Sequence, residues 1–521
     1  MKKGIFLFVT LALSALALSV NAMASPNGGP LGDFEAHGDV GSPKIAGYAT
    51  YNAASQVYTL SAGGVNIWAK RDEFQFAYRK FKGDFIVQAQ VEWVGAGTDP
   101  HRKAGIMARS SLDFDATYMD GALHGEGLVA MQYRKAKGGD TEQTQMPDAH
   151  GANVIQLERS GNTFTWSAAK FGEPFQVTSQ ENVDLPEELF VGLFLSAHNV
   201  DVKETAVFRH VRVIKPVKVG FQPYRDYIGS RLEVMNVTSG HRNVYYSSRV
   251  PFEAPNWLPD GSALLYNASG GDPATRGRLW KFDLATRTPS LVDTGFAIRN
   301  NNDHVLSFDG RQIAISDQSQ DKNQSTIYTM PTTGGVPKRI TPLTPSYMHS
   351  WTPDAKWLIY TGGRIPKGAK DNEFDIYKAA SDGSGKEINL TNSPGLDDGP
   401  EVSPDGKWIY FNSTRSGTMQ IWRMTLDGKN QERVTNDAKF NDWFPHFSPD
   451  GKWITLISYG LDVEPSNHPY YKHCYLRIMP TDGSAPPKVI AYVYGGQGTI
   501  NVPSWSPDGT HIAFVSNTDA L

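Results

Sequence analysis

The sequence predicts an all-β protein in which a β-sandwich is followed by a six-bladed β-propeller. A seven-residue turn motif recurs six times in the C-terminal part, at intervals of about 45 to 58 residues, which is the spacing of propeller blades. Apolar runs of period 2 follow each motif, and the N-terminal part alternates strand-like runs with Gly, Asn and Asp turns. The predicted boundaries are a signal peptide over 1–24, a sandwich over 26–214, a linker over 215–227 and a propeller over 228–521.

The N-terminus has the features of an export signal. Lys2 and Lys3 precede an apolar stretch over 5–18, and Ala-Met-Ala at 22–24 offers a cleavage site. The mature chain is expected to start near Ser25, in the periplasm or outside the cell. A retained anchor helix is the weaker alternative, because the apolar stretch is short for a bilayer and no basic stop follows it. We therefore do not expect an integral membrane protein.

Composition excludes several classes of partner. Cys474 is the only cysteine of the chain, so no disulfide can form within it. The net charge is −4, and it becomes −6 once Lys2 and Lys3 leave with the signal, with no long basic run. Nucleic acid and anionic membrane surfaces are therefore poor candidate partners.

The repeated motif has the chemistry of a tight turn between two strands. Proline restricts φ, aspartate hydrogen-bonds its own backbone, and glycine accepts a positive φ. The six motifs end at Gly261, Gly310, Ala355, Gly406, Gly451 and Gly509. Six motifs predict six blades.

The last blade is incomplete at the C-terminus, where the chain stops soon after the strand-like run over 511–515. Residues 232–236 and 243–246 resemble the third and fourth strands of a blade. Pairing these strands with the C-terminal run would close the ring and remove the exposed sheet edges. We expect this closure.

These repeats resemble those of the TolB family over residues 231–521. The segments at 301–304, 396–401 and 494–501 resemble a group of bacterial TolB-like proteins more closely. The α/β domain that precedes the propeller in TolB is absent. The resemblance implies a six-bladed propeller and an envelope protein or peptide as partner.

Residues 26–214 contain segments similar to concanavalin A-like modules found beside secreted carbohydrate-active proteins. These segments are Phe-Lys-Gly-Asp-Phe at 81–85, Lys103–Arg109 and Ser-Ala-His-Asn at 196–199. The resemblance implies either sugar binding or a spacer. The aromatic side chains that would stack on a sugar ring are Trp68, Tyr78 and Trp93. The alternative is that they belong to the core.

Aligning the six repeats on their turns singles out one position, three residues before the serine of the motif. Four blades have proline there, at Pro255, Pro400, Pro445 and Pro503. The other two blades have His304 and His349. Because proline there would set the entry to the inner strand, its replacement by histidine in two adjacent blades suggests a functional demand.

Equivalent points of all blades meet at one end of a propeller axis, so polar residues near this position should share one cavity. Blade five also has the longest insertion, over 460–473. The expected catalytic residues are His304, His349, His468 and Lys472. The expected substrate-binding residues are Asp303, Asp397, Asp398, Glu401, Trp443 and Gln497. The expected ligands of a divalent metal ion are His304, His349 and His446.

Two interpretations of these residues compete. In the first, a metal polarises a substrate carboxylate and a Lys or His removes the neighbouring proton, as in uronate β-elimination. Oligogalacturonate lyases resemble this design, with a metal held by histidines and a glutamine in a propeller. In the second, the polar side chains only hold water in the channel. No phosphate loop, dinucleotide fingerprint or Gly-x-Ser-x-Gly elbow occurs, so no organic cofactor is expected.

The leading hypothesis is therefore an exported protein that binds and cleaves an oligosaccharide at the propeller axis, by β-elimination rather than hydrolysis. The alternative is a non-enzymatic scaffold that binds an envelope protein or peptide, as TolB does.

Overall fold

The computed structural model describes residues 31–222, 225–270 and 274–520. The predicted signal peptide lies outside the described residues. The described part is built of β-strands with two short 3-10 helices, at Pro147–Ala149 and Asp321–Asn323. Among these residues, none of the helices is long and apolar enough to cross a membrane.

The N-terminal part forms two seven-stranded antiparallel sheets. Its strands are β1 (Ala36–Val40), β2 (Tyr48–Asn52), β3 (Val57–Ala62), β4 (Ile67–Trp68), β5 (Arg71–Asp72), β6 (Phe74–Lys82), β7 (Phe85–Val94), β8 (Lys103–Arg109), β9 (Tyr118–His124), β10 (Val129–Arg134), β11 (Glu142–Gln145), β12 (Val154–Ser160), β13 (Thr163–Ala169), β14 (Gln176–Gln180), β15 (Glu188–Ser196) and β16 (Glu204–Ile214). The first sheet has the order β1-β6-β15-β8-β9-β10-β11 and the second β14-β13-β12-β7-β16-β3-β2.

The two sheets bury one shared core, as period-2 alternation requires. Ile106 of β8 and Met119 of β9 belong to the same buried cluster as Val87 of β7 and Trp166 of β13. Gly121 is needed at this contact, because a Cβ there would lie 1.9 Å from the Trp166 ring. The predicted two-sheet arrangement is present, while its membership of the concanavalin A-like class stays a prediction.

The three aromatic residues predicted to stack on sugar are each in contact with other side chains. The Arg102 guanidinium lies 4.3 Å from the ring centroid of Trp93, and the Lys103 ammonium lies 5.3 Å from that of Trp68. Tyr78 packs against a buried aromatic cluster of the first sheet. Sugar binding by this domain stays a prediction.

The C-terminal part is a six-bladed propeller. Its strands are β17 (Gly229–Asn236), β18 (Arg242–Ser248), β19 (Phe252–Trp257), β20 (Ala263–Ala268), β21 (Leu279–Asp283), β22 (Thr288–Leu291), β23 (Asn300–Leu306), β24 (Gln312–Asp317), β25 (Thr326–Pro331), β26 (Lys338–Arg339), β27 (Ser346–Trp351), β28 (Trp357–Arg364), β29 (Glu373–Ala380), β30 (Ile388–Asn389), β31 (Asp397–Val402), β32 (Trp408–Ser413), β33 (Gln420–Thr425), β34 (Glu432–Arg433), β35 (Phe440–Phe447), β36 (Trp453–Gly460), β37 (Lys472–Pro480), β38 (Lys488–Gly495) and β39 (His511–Thr518). Blades one to five are the four-stranded sheets β19–β22, β23–β26, β27–β30, β31–β34 and β35–β38.

Blade six closes the ring with strands from both ends of the propeller. The C-terminal β39 pairs with β17, and β17 pairs with β18. The register joins Leu232 to Val515 and Val234 to Ala513, while Trp505 bridges Ile512 on the inner side. The predicted closure is confirmed.

The repeated turns have the predicted chemistry. In blade five, the Ser448 hydroxyl donates to Asp450 Oδ1 at 2.6 Å, and the Lys452 amide donates to the same oxygen at 3.1 Å. Gly451 follows the aspartate with a φ of 70°. These turns are architectural and set the start of each second strand.

The aligned proline or histidine lies at or beside a bulge in the inner strand of blades one to five. In blades one, four and five, the proline and the residue before it are skipped in the pairing, and that preceding residue has a positive φ. In blade three only His349 is skipped. In blade two the bulge comes earlier, so residues 301–303 are skipped and His304 pairs with Ile315. Proline lacks an N–H group and so fits an unpaired bulge position.

The sandwich packs directly on the propeller. Arg212 of β16 forms a buried ion pair with Glu233 of β17, with Nη2 and Oε2 2.6 Å apart. The side-chain amide of Gln56 donates to the Val244 carbonyl at 2.8 Å. In the chain, the predicted linker at 215–227 falls between β16 and β17.

Candidate functional site

A cavity of about 1030 Å³ is lined by the inner strands of all six blades or by the residues that lead into them. In five of the six blades, the residue two positions before the aligned proline or histidine lines this cavity. These residues are Glu253, Asn302, Tyr347, Asp398 and Asn501, from blades one, two, three, four and six. In blade five the equivalent residue, Trp443, is not part of the lining, and Phe444 lines the cavity instead.

A buried ion pair occupies the wall formed by blades three and four. His349 Nε2 lies 3.3 Å from Asp398 Oδ1, and the Thr361 hydroxyl donates to that oxygen at 2.7 Å. Burial alone would raise the pKa of Asp398, but the hydrogen bond and charge of His349 outweigh it and hold the pKa at about 2. Burial would lower the pKa of His349, but Asp398 and Asp303 raise it overall. Each group of the pair therefore favours the charged form of the other.

Two more carboxyl groups lie in the cavity. Asp303 accepts hydrogen bonds of 2.6 Å from the side-chain amides of both Asn301 and Asn501. Burial raises the pKa of Asp303, which the charge of His349 partly opposes. Burial also raises the pKa of Glu253 to about 7, and the charge of Asp303 adds to this effect. Glu253 therefore exchanges its proton near neutral pH.

The predicted residues that line the cavity are Asp303, His349, Asp398, His468 and Gln497. His468 comes from the insertion in blade five, and its Nε2 lies 3.9 Å from Asp398 Oδ2. Burial lowers the pKa of His468, so its ring favours the neutral form beside the charged pair.

Sequence comparison of the repeats missed Glu253, which the structure places in the same cavity. Glu253 lies two residues before Pro255, just as Asp398 lies two residues before Pro400. An alignment of the repeats at that position would therefore have found Glu253. The sequence comparison was made at the proline position itself, and it therefore selected His304. The bulge geometry decides which of these positions faces the axis.

His304, which was predicted to line the cavity, is not among its lining residues. Its side chain is fully buried beside the backbone of Ala254 and Leu265. Burial lowers its pKa to about 4. The earlier bulge of blade two explains the difference, since it directs Asp303 to the cavity and returns His304 to the strand pairing.

Glu401 and His446 join blades rather than line the cavity. His446 Nδ1 lies 2.6 Å from Glu401 Oε2, and the Phe447 amide donates to Glu401 Oε1 at 2.9 Å. The other ring nitrogen of His446 contacts the Ile500 carbonyl oxygen. Both nitrogens of His446 are thus engaged with acceptors, and the residue crosslinks blades four, five and six.

Three further predicted residues lie outside the cavity. Asp397 forms an ion pair with Arg415, with 2.6 Å between the carboxylate and guanidinium. Trp443 is fully buried and supports the His468 ring at a centroid distance of 4.6 Å. Lys472 is exposed at the start of β37. None of the three is part of the cavity lining.

The three predicted metal ligands His304, His349 and His446 do not come together at one point. His304 is buried away from the cavity, and both ring nitrogens of His446 are engaged. Within 31–222, 225–270 and 274–520, no group of three His, Cys, Asp or Glu side chains is arranged to hold one.

The charge of His349 can be tested by changing its partner. In the wild-type protein the His349 ring should titrate above its ordinary value of 6.5. In Asp398→Asn the titration midpoint of His349 should fall, because the hydrogen bond and charge of Asp398 no longer oppose the effect of burial. An NMR titration of the ring protons measures both values. Asp354→Asn, in an exposed turn, is the control, and an unchanged midpoint in Asp398→Asn would exclude the ion pair.

Comparison with known proteins identifies the family. Residues 367–464 match the family model of the TolB beta propeller domain. An uncharacterized protein of Agrobacterium fabrum is 44% identical over 287 residues, which cover 55% of this chain and 92% of that protein. A solved structure assigned as TolB of Agrobacterium tumefaciens is 43% identical with a TM-score of 0.51, and the match covers 56% of this chain and 99% of that one.

A more distant likeness is found to an oligogalacturonate lyase solved in complex with manganese. It has 12% identity and a TM-score of 0.33, over 53% of this chain and 72% of the lyase. That likeness carries no argument about activity. The repeats, the closed ring and the relatives at 43% and 44% identity together show that the chain belongs to the TolB-like β-propeller family.

Proposed function

We propose that this protein binds an oligosaccharide in the cavity at the propeller axis and cleaves it by proton transfer. One observation carries the proposal: Glu253, with a pKa of about 7, lies in the same cavity as the ion pair of His349 and Asp398. A group whose pKa is near the working pH is an effective general base. Perturbed titratable groups in a large cavity are typical of active sites.

The cavity lining suits a ligand rich in hydroxyl groups. Amide side chains can both donate and accept hydrogen bonds, as sugar hydroxyls do, and several of them line the cavity. Gln497 Oε1 is buried and has no hydrogen-bond partner among the described residues, so it is available to accept from a ligand. Phe374 and Phe444 add ring faces against which a sugar can pack.

The charges favour an acidic sugar and elimination rather than hydrolysis. Arg276 and Arg299 line the cavity, and a guanidinium is well suited to hold a uronate carboxylate. Such contact also acidifies the proton on the neighbouring carbon. A base with a pKa of about 7 and an imidazolium are then the two proton-transfer groups that elimination requires.

In the proposed step, the Glu253 carboxylate takes the proton from the carbon beside the uronate carboxylate. The electron pair of that C–H bond forms a C=C bond, and the C–O bond to the next sugar breaks. The leaving oxygen takes a proton from the His349 imidazolium, which Asp398 holds in place. The products are a shortened oligosaccharide and an unsaturated uronate end.

The direct test is a screen of uronate-containing oligosaccharides with the purified full chain. We expect an unsaturated product, detected by its ultraviolet absorbance, together with saturable binding by calorimetry. Binding without product would reduce the proposal to a binding protein. Absence of both from a broad panel would overturn it.

The second candidate is a scaffold that binds an envelope protein or peptide in the same cavity. The match of residues 367–464 to the TolB propeller model favours it. In that case a peptide ligand, and no oligosaccharide, should protect the cavity residues from hydrogen exchange. For either function we infer action outside the cytoplasm, because of the export signal predicted at 1–24.

A further inference from the structure

The proposed cleavage uses only the propeller and leaves the N-terminal sandwich without a role. We propose that the sandwich, together with Phe221 and Ile228 after it, acts as a clamp on the blade-five loop, residues 461–471, which forms part of the cavity wall. This loop connects β36 to β37 and contributes Ser466, His468 and Tyr470 to the lining. Its position therefore affects the geometry of the site.

The loop places His468 against the charged pair. The His468 ring packs on Trp443 and Phe444, with centroid distances of 4.6 and 5.5 Å. Its Nε2 lies 3.9 Å from Asp398 Oδ2. A shift of the loop would change the surroundings of the Asp398 carboxylate.

The first part of the loop is held by the propeller itself. The side-chain amide of Asn441 donates to the Val463 carbonyl at 3.0 Å. Further along, the loop passes so close to Gly496 that a Cβ there would lie 2.0 Å from the Pro469 carbonyl oxygen. These contacts keep the start and middle of the loop on blade five.

The end of the loop is held by residues of the sandwich and by two residues that follow it in the chain. The Ile228 amide donates to the Tyr471 hydroxyl at 3.3 Å, and the Phe221 ring packs edge-on against Tyr471 at 5.1 Å. Tyr471 shares a buried cluster with Ile86 and Ile214, which belong to the sandwich strands β7 and β16. The loop end is thus buried against residues outside the propeller.

The sandwich also holds the strands that follow the loop. Glu158 of β12 lies 2.8 Å from His473 Nε2, two residues after the loop ends. The Phe175 ring lies 4.5 Å from the ring of Tyr492, and the Tyr492 hydroxyl donates to the Glu173 carbonyl at 2.6 Å. Because these contacts fix β37 and β38, they fix the anchor point of the loop.

A loop that is ordered before the ligand arrives loses less conformational entropy on binding. The clamp therefore pre-organises the cavity wall, which makes Glu158 and Phe175 positioning residues. The ligand part of this inference depends on the proposed function. The proposed ordering of the loop by the sandwich does not depend on that function, and hydrogen exchange measures this ordering without any ligand.

The test compares two double variants of the full chain. Glu158→Gln with Phe175→Ala should raise amide exchange rates over residues 461–473 on the order of tenfold, while those of β35 stay unchanged. The matched control, Glu142→Gln with Phe114→Ala, changes an exposed ion pair and an exposed ring of the sandwich. This control should leave the amide exchange rates of residues 461–473 unchanged.

If the double variant Glu158→Gln with Phe175→Ala left the amide exchange rates of the loop unchanged, the clamp would be overturned, whether or not an oligosaccharide binds. Faster exchange without any oligosaccharide binding in the wild type would keep the clamp and remove the proposed function. With a bound uronate oligosaccharide, the first variant should raise Kd about tenfold. Should the first variant not fold, Phe221→Ala tests the same loop through Tyr471 alone.

Discussion

Replacing Glu253 by glutamine should lower kcat/KM for oligosaccharide cleavage by about 10² to 10⁴-fold, because the amide keeps the shape of the side chain but cannot take a proton. In the wild type, kcat/KM should rise with pH through about 7 as Glu253 ionises. The initial rate of unsaturated product measures both effects.

The control is Glu432→Gln, an exposed carboxylate on the outer strand of blade four. It should retain wild-type rates. Wild-type turnover in Glu253→Gln would exclude Glu253 as the base and leave the reaction without the group on which the proposal depends.

The same variant has an effect on stability that needs no substrate. The folded protein binds the Glu253 proton more tightly than the unfolded chain, because the pKa rises from 4.5 to about 7. Between these two pH values the wild type therefore loses stability as pH increases, and Glu253→Gln does not. The free energy of unfolding of the variant, relative to wild type, should increase by about 2 kcal/mol between pH 5 and pH 8. Urea denaturation at the two pH values measures it.

Replacing Glu233 by glutamine should lower the free energy of unfolding by about 3 to 5 kcal/mol, because two buried guanidinium groups would lose their shared counter-charge. Glu233 Oε2 lies 2.6 Å from Arg212 and 3.3 Å from Arg242, and Oε1 accepts a 2.6 Å hydrogen bond from Ser516. All three charged side chains are buried. Urea denaturation at pH 7 measures the loss, with Glu432→Gln as the exposed control.

The pH dependence of Glu233 has the opposite sign to that of Glu253. Burial would raise the pKa of Glu233, but Arg212 and Arg242 hold it well below its ordinary range. Its contribution to stability is present above about pH 4.5 and is lost as pH falls further. Glu233→Gln should lack this acid-dependent loss. A decrease of less than 1 kcal/mol at pH 7 would mean that the arginines find other partners.

The blades and the closure of the ring were predictable because their causes are local. A Ser-Pro-Asp-Gly turn has the same hydrogen bonds wherever it occurs, as Ser448 and Asp450 illustrate. The strand after each turn alternates with period 2, and an unpaired strand at each end of the propeller leaves one way to complete the last blade.

The site was predictable only in part. The repeat comparison found the inner-strand bulge region and, with it, Asp303, His349 and Asp398. It could not tell which residue of each bulge faces the axis, because that depends on the pairing register with the second strand. The bulge that comes earlier in blade two returns His304 to the strand pairing and places Asp303 in the cavity lining.

The sequence by itself determined the all-β class, the six blades and the closing strands, because turn chemistry and strand alternation act between neighbours in the chain. The tertiary structure alone decided which polar side chains meet. Glu253 acquires a pKa of about 7 only because other blades bury it beside Asp303. His446 and Glu401 become a crosslink because three blades converge on them. Burial and charge proximity come from contacts between distant parts of the chain, and no local pattern encodes them.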